Sequence, residues 1–138
     1  MPLLLPASTN GGGNCMAFPD VCKTPAPPAG PLPIPYPNTA MLNQATKTSK
    51  KVLIVKKGAV TTKSEIPKTM GDEPGTAGGM VSGRNMDKLT FKQGSSKVSV
   101  EGAPLVYVTA TTGHNGANAN APAGAQVAPS QTKVLVAP

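Results

Sequence analysis

Proline and glycine constrain this chain more than any other feature. Of 138 residues, 16 are Pro and 15 are Gly, and ten of the prolines fall between Met1 and Asn38. Proline locks φ near −65° and pushes the residue before it into extended backbone, so a stretch such as Pro31-Leu32-Pro33-Ile34-Pro35-Tyr36-Pro37 cannot be helical. It runs instead as an extended, polyproline-like strap. Leu32, Ile34 and Tyr36 give the strap regular apolar teeth, which suits a segment wrapped over its own domain better than a free ligand for a proline-recognition module. Such a proline and glycine content approaches the range of disordered chains. Charged residues make up only 14%, however, and Val, Ile and Thr are plentiful, whereas disorder goes with high charge and few β-branched residues. The chain reads as ordered, built from short strands and fixed turns.

The middle of the sequence carries the strand signals. Val52-Leu53-Ile54-Val55, a turn at Lys56-Lys57-Gly58 and Ala59-Val60-Thr61-Thr62 predict one hairpin. Leu89 to Lys92, a turn at Gln93-Gly94-Ser95-Ser96 and Lys97-Val98-Ser99-Val100 predict a second, with period-2 alternation. Further strands are expected at Leu105 to Thr109 and at Lys133 to Val136. The apolar rows Leu53/Val55 and Val98/Val100 face either the core or a partner. One short helix is expected near Thr39 to Thr46, with Asn38 as its N-cap. The expectation is one all-β domain over residues 1–138: a Gly/Pro-rich wrapping segment (1–38), a hairpin core (50–111), and a Gly/Asn/Pro loop with a final strand (112–138). Gly71-Asp72-Glu73-Pro74-Gly75-Thr76-Ala77-Gly78-Gly79 lacks the Gly-Lys-Ser/Thr of a phosphate loop. It reads as a tight turn in which glycine permits close backbone approach.

The formal charge of +7 is local, with eleven of the 13 basic residues between Lys47 and Lys97. Aromatic residues, the stacking platforms of single-strand binders, make up 3%, so the lysines read as a solvated face that blunts strand edges and no nucleic-acid partner is expected. No apolar stretch reaches the ~18 residues of a membrane span, and the apolar start lacks a basic leader, so neither membrane insertion nor a signal peptide is expected.

Reactive side chains concentrate in Cys15, Cys22 and His114. They lack a signalled third group to orient a Cys–His nucleophile, so the chain is expected to catalyse nothing. Two thiolates and an imidazole supply three of the four ligands of tetrahedral zinc, with Asp20, Asn115 or water as the fourth. A Cys15–Cys22 disulfide and buried free thiols are the alternatives.

Several segments are familiar. Gly11-Gly12-Gly13-Asn14-Cys15-Met16-Ala17-Phe18-Pro19-Asp20-Val21-Cys22 resembles the opening signature of the PAAR-like family. So does Pro33 to Asn38, as do Gly71-Asp72-Glu73 with Gly75 to Gly79, and Ala128 to Val134. The resemblance runs over nearly the whole chain in the right order. It implies a small conical fold that caps and sharpens the trimeric valine-glycine-repeat (VgrG) spike of the bacterial type VI secretion system, with one tip per trimer. It also implies a tip exported on the spike from the cytoplasm, with a separate effector or its chaperone recruited to it. PAAR proteins proper bind zinc through three histidines and one cysteine. Only Cys15, Cys22 and His114 are available for that role here. Such a role is physically consistent with the chain: a three-chain β-spike ends in unpaired strand edges, and several short hairpins on one chain can pair with all three in pseudo-threefold fashion. A stand-alone secreted effector and a proline-strap adaptor are the competing roles.

Overall fold

The computed structural model describes residues 4–26 and 30–138, so parts of the apolar start and of the proline strap lie outside the described residues. The all-β expectation holds: the described residues contain twelve short strands, and their only helical element is one 3-10 turn. The central sheet has the order β3-β2-β11-β10-β7-β6. Its strands are β2 (Asn14–Thr24), β3 (Leu32–Met41), β6 (Glu65–Ile66), β7 (Leu89–Phe91), β10 (Thr111–His114) and β11 (Ala121–Ala128). The proline run is therefore β3, an edge strand of this sheet, where missing N–H groups face no neighbour on the outer side. The helix expected at Thr39 to Thr46 is replaced by the end of β3 and a single 3-10 turn, Leu42–Gln44. Asn38 caps nothing. It pairs in register with Ala17 and turns its amide into the interior.

Three two-stranded ribbons complete the fold: β4 (Leu53–Ile54) with β5 (Lys57–Gly58), β8 (Ser99–Val100) with β9 (Ala103–Pro104), and β1 (Leu5–Pro6) with β12 (Leu135–Val136). Two hairpin expectations need correction. The first turn is Val55-Lys56, both at positive φ (51° and 65°), the geometry of a type I′ hairpin. Gly58 is a strand residue, and a Cβ there would sit 2.7 Å from the Ser49 carbonyl. Leu89–Phe91 pairs with Thr111–His114 and Glu65–Ile66, not with 97–100, whose own turn is Glu101-Gly102 (φ 50° and 82°). Leu105 to Tyr107 makes isolated bridges and no regular strand.

The three ribbons are joined by a closed ring of backbone hydrogen bonds. Ser8 N–H donates to Val106 O (2.8 Å), Val106 N–H to Val60 O (2.9 Å), and Val60 N–H to Ser8 O (3.0 Å). A second cyclic set repeats it: Asn10 to Gly58 O, Thr62 to Pro104 O, Val108 to Pro6 O. A third ties each ribbon internally, with Ala7, Ala59 and Leu105 donating to the carbonyls of Val134, Val52 and Val98. Equivalent positions share their burial. Ile54, Val100 and Val136 point inward (7%, 6% and 3% exposed), while Val52, Val98 and Val134 point out (38%, 38% and 40%). The pseudo-threefold geometry anticipated from the sequence is present, but built from different pieces. Its signal in the chain is Lys51-Val52-Leu53-Ile54, Lys97-Val98-Ser99-Val100 and Lys133-Val134-Leu135-Val136. Spacing between these copies is unequal, and the third copy finds its partner strand at the opposite end of the sequence. Behind the ring lies the apolar core, which includes Ala7, Val60, Val106, Leu42, Ile66, Leu89, Phe91 and Cys15.

Candidate functional site

Beyond the apolar core, β2 enters a buried polar region. Its register against β3 shifts between Ala17 and Asp20, so Phe18 and Pro19 are both exposed and Asp20 and Cys22 turn inward. The 71–79 loop closes over them. A Cβ on Gly75 would lie 2.3 Å from Cys22 Cβ, which is why only glycine fits this approach. The turn after β10 and the start of β11 bring Asn115 and Asn120. Asp20, Cys22, Asn38, Asp72, His114 and Asn115 are all fully buried.

The hydrogen bonds assign the protons. Asn38 Nδ2 donates to Asp20 Oδ2 (2.9 Å) and Thr69 Oγ1 (3.0 Å), leaving its Oδ1 to accept from His114 Nδ1 (2.7 Å). Nε2 of the neutral ring then accepts from the Thr112 hydroxyl at 2.8 Å. The Thr69 hydroxyl donates in turn to the Asp87 carbonyl (2.7 Å). Asp20 is the hub: its Oδ1 also accepts from Asn115 Nδ2 (3.2 Å) and from Asn120 Nδ2. Burial works to raise the Asp20 pKa, but hydrogen bonds from Asp72, Asn120, Asn115 and Asn38 outweigh it and hold the carboxyl below its ordinary value. Asp72 goes the other way, pushed up to about 7 by burial and by the Asp20 carboxylate beside it. Burial and both aspartates push the Cys22 thiol up.

Of the three residues singled out as metal ligands, the structure brings none to another. Cys15 and Cys22 lie seven residues apart on extended β2, on the order of 20 Å at ~3.3 Å per residue. A disulfide or a shared ion would require a few ångströms, and both cysteines are free. Cys15 belongs to the apolar core, where burial raises its pKa to about 12. His114 spends both ring nitrogens on Asn38 and Thr112. Cys22 instead meets Asp20 and Asp72, and ligand atoms of these three lie within 4.8 Å of one another. Asp20 and Asn115, the fourth-ligand candidates of the sequence, do lie beside Cys22; Asp72 and Asn120 carry no such signal, because nothing local marks them and Asp72 is fifty residues from Cys22.

Burial holds the His114 pKa near 4, below the usual 6.5, so the folded state keeps the ring neutral. Stability from this group is full above pH 6.5 and drains as pH falls toward 4, by about 3 kcal/mol over that window. Asp72, with its raised pKa, acts oppositely in part of this range, so the expected observable is a difference. Urea unfolding of wild type and His114→Gln between pH 7 and 4 should show their stability gap narrowing by about that amount. A gap independent of pH would refute it.

A six-stranded sheet backed by a ring of three equivalent two-stranded ribbons defines an all-β module. The family model for the toxin PAAR-like domain matches residues 13–121, and the chain belongs to that family. It is 40% identical over 114 residues to the DNase toxin Tse7 of Pseudomonas aeruginosa; the match takes in 78% of this chain and 29% of the relative, so the chain spans under a third of that protein's length. No solved structure matches it. The comparison corrects the expectation that the chain catalyses nothing, since the relative is an enzyme by name and the family is a toxin family. Among the described residues no helix is long and apolar enough to cross a membrane.

Proposed function

We propose that this chain belongs to a toxic effector of the type VI secretion system, of the DNA-degrading class, and that these residues seat it on the end of a VgrG-type spike. The pseudo-threefold ring carries the docking half of this reading. One asymmetric chain offers three equivalent apolar positions, Val52, Val98 and Val134, each beside an exposed lysine (Lys51, Lys97 and Lys133). A partner with three identical chains around an axis could meet all three with the same surface, which is the geometric requirement for one copy per trimer. The toxin half rests on the family and on the DNase relative. On this reading DNA is the substrate class of the effector, against the expectation drawn from the scarcity of aromatic residues. Effector and tip are then one protein, and export follows the spike.

The expected result is co-purification with a VgrG-type trimer at one copy per three spike chains. Joint replacement of Val52, Val98 and Val134 by Asp should weaken this by about two orders of magnitude, because it places charge at the centre of each contact. These valines are surface positions, so the triple variant should melt within a few degrees of wild type. Target-cell DNA fragmentation should be lost with the same variant. Binding that survives all three changes would defeat the docking reading, and delivery without DNA damage would defeat the choice of substrate.

A further inference from the structure

We infer that Asp20, Cys22 and Asp72 form a metal centre for a thiophilic dication such as Zn2+, distinct from the grouping of Cys15, Cys22 and His114 expected from the sequence. The distances fit. Cys22 Sγ lies 3.5 Å from Asp20 Oδ1 and 3.6 Å from Asp72 Oδ2. Zinc–sulfur and zinc–oxygen bonds of about 2.3 and 2.1 Å meeting at a tetrahedral angle put sulfur and oxygen roughly 3.6 Å apart. A thiol has one proton and can donate to only one of the two carboxylates.

The charge balance points the same way. Three groups able to carry negative charge are packed together and fully buried, and the ion pairs among the described residues, Lys47–Glu65 and Lys88–Glu65, lie elsewhere. Isolated buried anions are strongly disfavoured. In metal-free protein the triad must retain protons, because three adjacent buried groups cannot all be charged without a counter-ion. One dication replaces two protons and pairs with all three groups at once.

An independent observation is the Asp72 carboxylate itself. No N–H among the described residues reaches its Oδ1, although the residue is fully buried; its Oδ2 takes the Met86 N–H at 3.4 Å and touches Cys22. Buried acceptors without a donor are rare and mark an ion or water position. The sulfur is also prepared as an acceptor: the amides of Asn115 and Asn120 donate to it at 3.6 and 3.8 Å, as expected around a thiolate ligand.

The test is metal analysis of the protein purified without chelator, followed by chelation and titration with Zn2+ and Co2+. One Zn2+ per chain is expected. Zinc at a hundredfold excess over its dissociation constant should raise the melting temperature of chelated protein by about 10 °C. Cobalt should give a sulfur-to-metal charge-transfer band, a readout that needs no variant. Asp72→Asn and Cys22→Ser should each abolish the zinc-induced shift. The proposal is overturned if chelated wild type shows neither shift nor band. It is equally overturned if metal binding persists in both variants, which would place the ion elsewhere.

Discussion

Gly71→Ala should lower the melting temperature by about 10 °C or more, the largest effect expected from a single methyl group in this protein. Gly71 sits at φ +119°, a conformation that L side chains rarely adopt, and a Cβ there would lie 2.0 Å from the Pro37 carbonyl oxygen and 3.0 Å from its carbon. Both obstacles are backbone atoms of β3, so no side chain can rotate away. The neighbouring bridge locks the two segments, with Thr39 and Met70 exchanging hydrogen bonds of 2.7 and 2.8 Å. Strain and overlap together cost about 3 kcal/mol or more, which in a chain of this size corresponds to that shift in melting temperature. Gly12→Ala is the control. Its φ is +144°, but nothing lies within 4 Å of the added carbon, so only the conformational cost of about 1 kcal/mol should appear. Calorimetry on the two variants separates the contributions, and comparable small shifts in both would show that β3 yields to the added atom.

Asp20→Asn should destabilise the metal-free protein by about 3 kcal/mol, although it changes the shape of the side chain scarcely at all. Three amide groups aim N–H donors at this carboxylate, from Asn38, Asn115 and Asn120. An asparagine keeps one acceptor oxygen and turns a fourth N–H2 group on the others, leaving buried donors unpartnered. Asp72→Asn, a few ångströms away, should behave oppositely under the same conditions. It removes an acceptor that no donor reaches and relieves the crowding of acidic groups, so stability in chelator should stay level or rise. Two aspartates of equal burial thus carry opposite expected signs, decided by what faces each oxygen. Urea titrations in chelator read both, and equal losses for the two would sink the proton assignment of the network.

The ring of ribbons and the polar network are separate constructions joined by β2, which contributes Cys15 to the apolar core and Asp20 and Cys22 to the network. Changes at the exposed valines should alter docking while leaving the network intact, and changes at Asp20 or Gly71 should act through stability. The variants above are therefore expected to fall into two classes, one visible in binding and the other in melting.

Much of the character of the chain could be read from its residues. Proline forbade helix over residues 31–37, and β-branched residues with frequent turns required short strands. The four ordered motifs from Gly11 to Val134 carried the family. Even the need for pseudo-threefold geometry followed from the idea of one chain meeting a trimer. Tertiary structure alone decided which strand lies beside which. Alternation in Leu89-Thr90-Phe91 specifies which side chains point inward, but its N–H and C=O groups would pair with any neighbour, and it took Thr111–His114 in place of the nearer 97–100. The same holds for the polar centre. Asp20, Asp72 and Asn115 are ordinary loop or strand residues until folding excludes water from them. Only then do the cost of an unpartnered buried charge and the few donors within reach select their partners, across separations of fifty and ninety-five residues that no local pattern records.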